Sequence, residues 1–319
     1  MSAASSPGMA ASHTILPMSI FEHSIVGVLY FTIGIIGTVG NLLTFIVFMY
    51  QNPVKSPRNL VFANFALANT FVVAPFIIPG SSSFVGRWLF GDTACQAYAF
   101  EGMLAGIGAV GALIVLGVER YLAICCKDLY LNLSSGNVMC MILLGWLNAL
   151  FWAAMPLLGW CRYSIEPSGT SCTLDWQVID DQYVSYVTGL TTFCYCIPFV
   201  VLFLCLIRAS NSLSSETESA DKTSSKNDPE EWFSEKQLLK LTWVFTLTAL
   251  IGWGPYAYVV IWPFFNDMSS LTAVLAVLPP LMAKSSTMIY PFAYMSQSST
   301  FRKAMFLTMG CGEQEKKAK

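Results

Sequence analysis

The sequence predicts an all-α membrane protein, a bundle of seven membrane-spanning helices with its N-terminus outside and its tail in the cytoplasm. Three observations predict it. Only 11% of residues are charged and 55% are apolar, whereas an ordinary soluble chain carries about 25% charged residues. Seven apolar stretches are each long enough for a helical crossing, which needs roughly 20 residues. The basic residues fall almost entirely in alternate loops, and that asymmetry sets orientation.

Residues 1–24 contain no basic segment followed by an apolar one, so a cleavable leader is not expected and the first span serves as the signal. They read as a flexible outer segment. The spans are Ile25–Tyr50, Asn59–Pro79, Thr93–Tyr121, Val138–Trp160, Tyr183–Ile207, Leu239–Phe265 and Leu271–Met295, within one bundle domain covering 25–310. Of the 17 lysines and arginines, only Arg87 and Arg162 fall in outer loops and Lys284 falls within span seven; all others lie on the cytoplasmic side. The segment 212–231 is too polar to bury apolar surface and reads as a flexible loop, and 311–319 reads as a cytoplasmic tail. A net charge of −2 argues against a nucleic-acid partner. Pro75, Pro156, Pro198, Pro255 and Pro291 each remove a helical hydrogen bond, and bent spans leave room for a ligand between them.

Most of the ten cysteines fall inside spans, where a free thiol behaves as a small apolar group. Cys95 opens span three and Cys172 sits in the long outer loop, so a bridge between them would tie that loop to the bundle on the oxidising side. Cys161, also near the outer face, is the competing candidate. Cys311, past an amphipathic segment that follows span seven, is either a lipidation site or an unmodified thiol.

Lys284 is the one charged residue between Leu271 and Met295, and an ammonium at mid-bilayer costs a few kcal/mol. It lies too deep to snorkel to either surface. Two readings stay open: a structural ion pair, or a nucleophilic amine whose dry surroundings favour condensation with an aldehyde.

Lys284 followed by Pro291 and Tyr294, Glu119-Arg120-Tyr121 at the end of span three, Trp253-Gly254-Pro255-Tyr256 in span six and Phe301-Arg302 beyond span seven together resemble the opsins. The resemblance covers about residues 25–310. "SSSFVGRWLFG", "FWAAMPLLGW" and "PPLMAK" look most like retinochrome, and "GWGPYA" like the retinal G-protein-coupled receptor of pigment epithelium; peropsins belong to the same group. The resemblance implies a rhodopsin-like fold, a short amphipathic helix after span seven, and retinal carried on Lys284 as a Schiff base. In that group all-trans retinal is bound and converted by light to the 11-cis form, a step of the visual cycle that counts Lys284 and Glu166 as catalytic. The alternative is a light-activated G-protein-coupled receptor using 11-cis retinal for phototransduction. Implied partners are retinal, membrane lipids, a retinal carrier and a heterotrimeric G protein; implied locations are the plasma membrane or internal photoreceptor membranes.

A protonated Schiff base needs an anion nearby. Three residues past Cys95, where vertebrate visual opsins place a glutamate, stands Tyr98, which is not an anion at neutral pH. Six residues before Cys172 stands Glu166, which the resemblance makes the counterion. Glu101, one turn past Tyr98, has three readings: a second counterion, a polar group facing another helix, or a solvated outer residue. Trp253 and Tyr256 are implied to pack against retinal, with Tyr195 and Trp176 as further candidates. At the cytoplasmic end, Glu119, Arg120 and Glu235 are the candidate switch, with Arg120 and Glu235 latching spans three and six. Asn69 replaces the family's aspartate in span two and Tyr290 replaces the asparagine before Pro291, which weakens coupling to the cytoplasmic face. Ser298-Ser299-Thr300 also departs from the opsin pattern near the G protein.

Overall fold

The computed structural model describes residues 18–52, 56–219, 232–266 and 272–311. Helix α1 (Ile20–Ile46) starts inside the segment read as flexible, because Ser19 and Glu22 form a reciprocal capping box that satisfies two otherwise orphaned backbone donors. It continues as a π turn through Gln51. Span two is α2 (Pro57–Val73) and α3 (Ile77–Val85), joined by a 3-10 turn at Ala74–Phe76. Pro75 supplies the bend, since its ring removes one hydrogen bond and crowds the preceding turn. Gly86 ends the span with φ 74°, a left-handed conformation that suits a residue without Cβ.

Helix α4 (Gly91–Cys125) is the central post of the bundle and packs against spans two, four, five and six. After the short α5 (Lys127–Leu131) comes α6 (Ser135–Ala154), ending in a 3-10 turn at Pro156. The outer loop then folds into an antiparallel hairpin of β1 (Tyr163–Ile165) and β2 (Cys172–Leu174) lying against α4. The all-α expectation did not include this hairpin.

Span five is α7 (Asp181–Thr191), a π turn over Thr192–Cys196, and α8 (Ile197–Ser219). Helix α8 extends to Ser219, into the segment 212–231 read as loop; 220–231 lie outside the described residues. Span six is α9 (Glu235–Ile261), which keeps Pro255 in its interior. Span seven is α10 (Ala273–Ser285) and α11 (Ile289–Gln297), separated by a 3-10 turn at Ser286–Met288 that begins two residues past Lys284. Helix α12 (Ser299–Thr308) follows, capped by the Ser298 side chain and burying Phe301 and Met305. Among the described residues six helices are long and apolar enough to cross a membrane; α10 and α11 form the seventh crossing.

Candidate functional site

Between α4, the hairpin, span five, α9 and α10 lies a cavity of about 120 Å³, lined by Gly102, Gly106, Tyr195, Trp253, Tyr256 and Lys284 among others. One water needs roughly 10–15 Å³, so the space suits an organic ligand. Its wall on α4 is kept low by glycine: a Cβ on Gly106 would stand 2.7 Å from the Trp253 ring. Trp253 therefore packs directly on the α4 backbone. Tyr256 is fixed by its hydroxyl, 2.8 Å from Thr173 Oγ1 on β2, and Tyr195 donates to the Leu250 carbonyl at 3.4 Å.

Lys284 enters from α10. Its Nζ donates to Tyr98 Oη at 3.0 Å and lies 5.0 Å from the Tyr98 ring centroid and 5.2 Å from that of Phe76. The Pro75 bend presents Phe76 here, and two aromatic faces partly replace lost hydration, each contributing on the order of 1–2 kcal/mol. Glu101 and Glu166 also act electrostatically on Lys284. Among the described residues neither makes a direct ion pair with it.

Glu166 is 5% exposed. It sits in the hairpin turn, where its N–H donates to the Ser171 carbonyl at 3.0 Å and Gly169 N–H donates to the Glu166 carbonyl at 2.8 Å. Its carboxylate accepts from Ser168 Oγ at 3.0 Å. Burial pushes the Glu166 carboxyl above the ordinary glutamate range, against the opposing pull of the Ser168 hydroxyl, the Lys284 cation and the Ser171 hydroxyl. The turn is pinned to span two by Ser83, which donates to Thr170 Oγ1 at 3.3 Å. Cys95 and Cys172 are disulfide-bonded, anchoring β2 to the start of α4. Cys161, the competing partner, is a free buried thiol pushed up to about 11 by burial, which disfavours the reactive thiolate.

At the cytoplasmic end Arg120 is fully buried and pairs with Glu119 and with Glu235, the latter at 2.5 Å. Arg58 reaches the same Glu235 at 2.6 Å and donates through Nε to Tyr130 Oη at 3.1 Å, while Tyr130 donates to Glu119 at 2.8 Å. The latch expected between Arg120 and Glu235 is thus one edge of a five-residue network. Arg58 and Tyr130 carried no sequence signal beyond a loop charge and a short helical turn.

Between cavity and network stands a layer of aromatic rings. Tyr290 lies 4.8 Å from Phe65 and 5.0 Å from Phe245, and Tyr294 lies 5.0 Å from Phe245 and 5.3 Å from Phe48, centroid to centroid. Asn69, near the same level, turns its amide to the Phe65 carbonyl at 2.7 Å.

The structure brings Lys284, Tyr98, Glu166, Trp253, Tyr256 and Tyr195 around one cavity. It does not bring Trp176 to the cavity lining: that ring is 2% exposed and packed in the apolar cluster under the outer loop. Its place after β2 turns it into the loop core. Tyr30 on α1 also lines the cavity and Phe76 faces Lys284; both were missed, since single aromatics in apolar helices give no positional signal. Glu101 is half-buried on α4 outside the lining residues, and Cys311 is exposed after α12.

The family described as 7 transmembrane receptor (rhodopsin family) matches residues 40–294. The chain is 31% identical over 291 residues to visual pigment-like receptor peropsin of Homo sapiens, covering 91% of this chain and 86% of that one. It is 30% identical over 292 residues to retinochrome of Todarodes pacificus, covering 89% and 92%. Peropsin and retinochrome therefore stand level, and retinochrome is not singled out. The crystal structure of squid rhodopsin superposes with a TM-score of 0.85 at 24% identity, covering 97% of this chain and 93% of that one. The chain belongs to the rhodopsin family of seven-transmembrane receptors and, within it, to the opsins of the retinochrome and peropsin group.

Proposed function

We propose that this opsin is a retinal photoisomerase that binds all-trans retinal at Lys284 through a Schiff base and returns the 11-cis form in light. The cavity fits that group: its lining is mostly apolar, α4 contributes glycines to it, and the Lys284 amine is part of its wall. Bound retinal supplies the absorption of light and a double bond that rotates in the excited state. The chain's own residues do the rest. Glu166 holds negative charge toward the attachment nitrogen, Tyr98 fixes the position of that nitrogen, and Trp253 and Tyr256 bound the space in which a bent or straight chain fits. Isomer selectivity is then differential binding of two shapes.

The observation that carries isomerase over receptor is Tyr290. A ring that packs tilted on Phe65 and edge-on to Phe245 occupies the level at which a polar, hydrated connection would link cavity and cytoplasmic face. Lys284→Ala should form no visible pigment with all-trans retinal; a pigment of normal absorption would contradict the attachment. Illuminated wild-type pigment should drive little nucleotide exchange on a heterotrimeric G protein, and Tyr290→Asn should increase it. The second reading, a light-activated receptor, is favoured by the intact Arg120–Glu235 pair, and strong exchange by the wild type would support it.

A further inference from the structure

We propose that Glu101 is the proton acceptor that frees the Lys284 amine for attachment, a role separate from that of Glu166. The proposal rests on the reading of Lys284 as the attachment amine.

Condensation with an aldehyde needs a lone pair on nitrogen, and an ammonium has none. Some group beside Lys284 must take its proton before a dry cavity can load. Tyr98 Oη, 3.0 Å away, accepts a hydrogen bond from the amine and holds it in place, a positioning role. Two carboxylates remain, and their surroundings differ. Glu166 is raised by burial, yet its carboxylate is held by the Ser168 and Ser171 hydroxyls, whose hydrogen bonds oppose that rise and favour its charged form. Among the described residues Glu101 has no hydrogen-bond donor, and Lys284 is the one charge that acts on it.

Position agrees with this division. Glu101 stands one turn past Tyr98 on α4, and at its neighbour Gly102 an added Cβ would lie 3.9 Å from Lys284 Nζ. The amine thus rests on the turn of α4 that carries Glu101, which acts on it more strongly than Glu166 does. The two carboxylates stand in unlike environments, Glu166 buried and held by hydroxyls, Glu101 half-buried without a donor among the described residues, and unlike environments let two carboxyls take separate roles.

The step balances. Lys284 ammonium and Glu101 carboxylate become a neutral amine and a carboxylic acid, with no redox partner. When the amine condenses with an aldehyde, the acid returns its proton as the carbonyl oxygen leaves as water, which regenerates the carboxylate and leaves the attachment nitrogen protonated opposite Glu166.

The test uses ligand-free, full-length protein in the dark, with acetaldehyde as probe and cyanoborohydride as trapping reductant, reading ethylation of Lys284 by mass spectrometry across pH. Tyr98, Glu166 and Tyr256 surround the same amine and stay unchanged. Glu101→Gln should slow labelling near neutral pH at least about tenfold, less than the 10²–10⁴ of a fully aligned general base. The deficit should vanish at high pH, where hydroxide removes the lysine proton. Glu101→Asp should recover part of the rate, and it keeps the test available should Glu101→Gln fail to fold. If Glu101 merely steadied the ammonium, its removal would speed labelling; unchanged or faster labelling overturns the proposal. Failure to isomerise retinal would leave these rates as predicted, whereas a wild-type Lys284 that never labels contradicts both readings.

Discussion

Lys284 illustrates how a buried charge is made tolerable without a direct ion pair. The chain surrounds it with a phenol hydroxyl at 3.0 Å, two aromatic faces and two carboxylates at longer range. On the proposed attachment, such a site leaves no tight salt bridge to break before the nitrogen loses its proton and reacts. On the proposed counterion role, removing the anion at Glu166 disfavours the charged form of a nitrogen attached to retinal. Glu166→Gln should therefore lower the pH at which that nitrogen loses its proton by about 1–3 units, read as the midpoint at which visible absorption gives way to near-ultraviolet absorption. An unchanged midpoint would remove Glu166 from the counterion role. In the opposite direction, burial has raised the Glu166 carboxyl, so acidification should neutralise it at a higher pH than a free glutamate. Lys284 and Glu101 were legible in the sequence because a charge in an apolar stretch is costly enough to demand a reason; Glu166 needed the family resemblance. Tyr30 and Phe76 were illegible because an aromatic residue is equally at home against lipid, core or ligand.

At the scale of elements, prolines and the hairpin place the site. The bend at Pro75 aims Phe76 at Lys284, and the disulfide from β2 to α4 holds the turn that carries Glu166. The two cysteines are 77 residues apart, and a bridge closing a loop of that size contributes about 2–5 kcal/mol. Cys172→Ser should lower the melting temperature and, with the hairpin loosened, reduce pigment yield; an unchanged melt and yield would mean that the hairpin is held by packing alone. The seven apolar stretches could be read because length and hydropathy suffice to mark a crossing. The hairpin could not, since three-residue strands are too short to show alternation. The extension of α8 to Ser219 was hidden as well, because a polar composition does not exclude a helix continuing from a stable span.

For the molecule as a whole, the ligand cavity and the charged network occupy opposite ends of one bundle, with aromatic rings between them. The network of Arg58, Glu119, Arg120, Tyr130 and Glu235 ties span two, span three, α5 and span six together. Glu235→Gln should broaden the distance distribution between spin labels on the cytoplasmic ends of α4 and α9 in the dark; an unaltered distribution would show that packing, not charge, holds α9. With Tyr290 in place, the proposed photoisomerase reading predicts that light acting on the cavity leaves that distribution nearly unchanged in the wild type.

The direction of isomerisation is the central claim. It is tested most directly by reconstituting the purified protein in the dark with all-trans and, separately, 11-cis retinal, then extracting and identifying the isomer after illumination. The account predicts a stable pigment with all-trans retinal that yields the 11-cis form. A pigment that forms only with 11-cis retinal and yields all-trans would contradict it and make this opsin a light sensor.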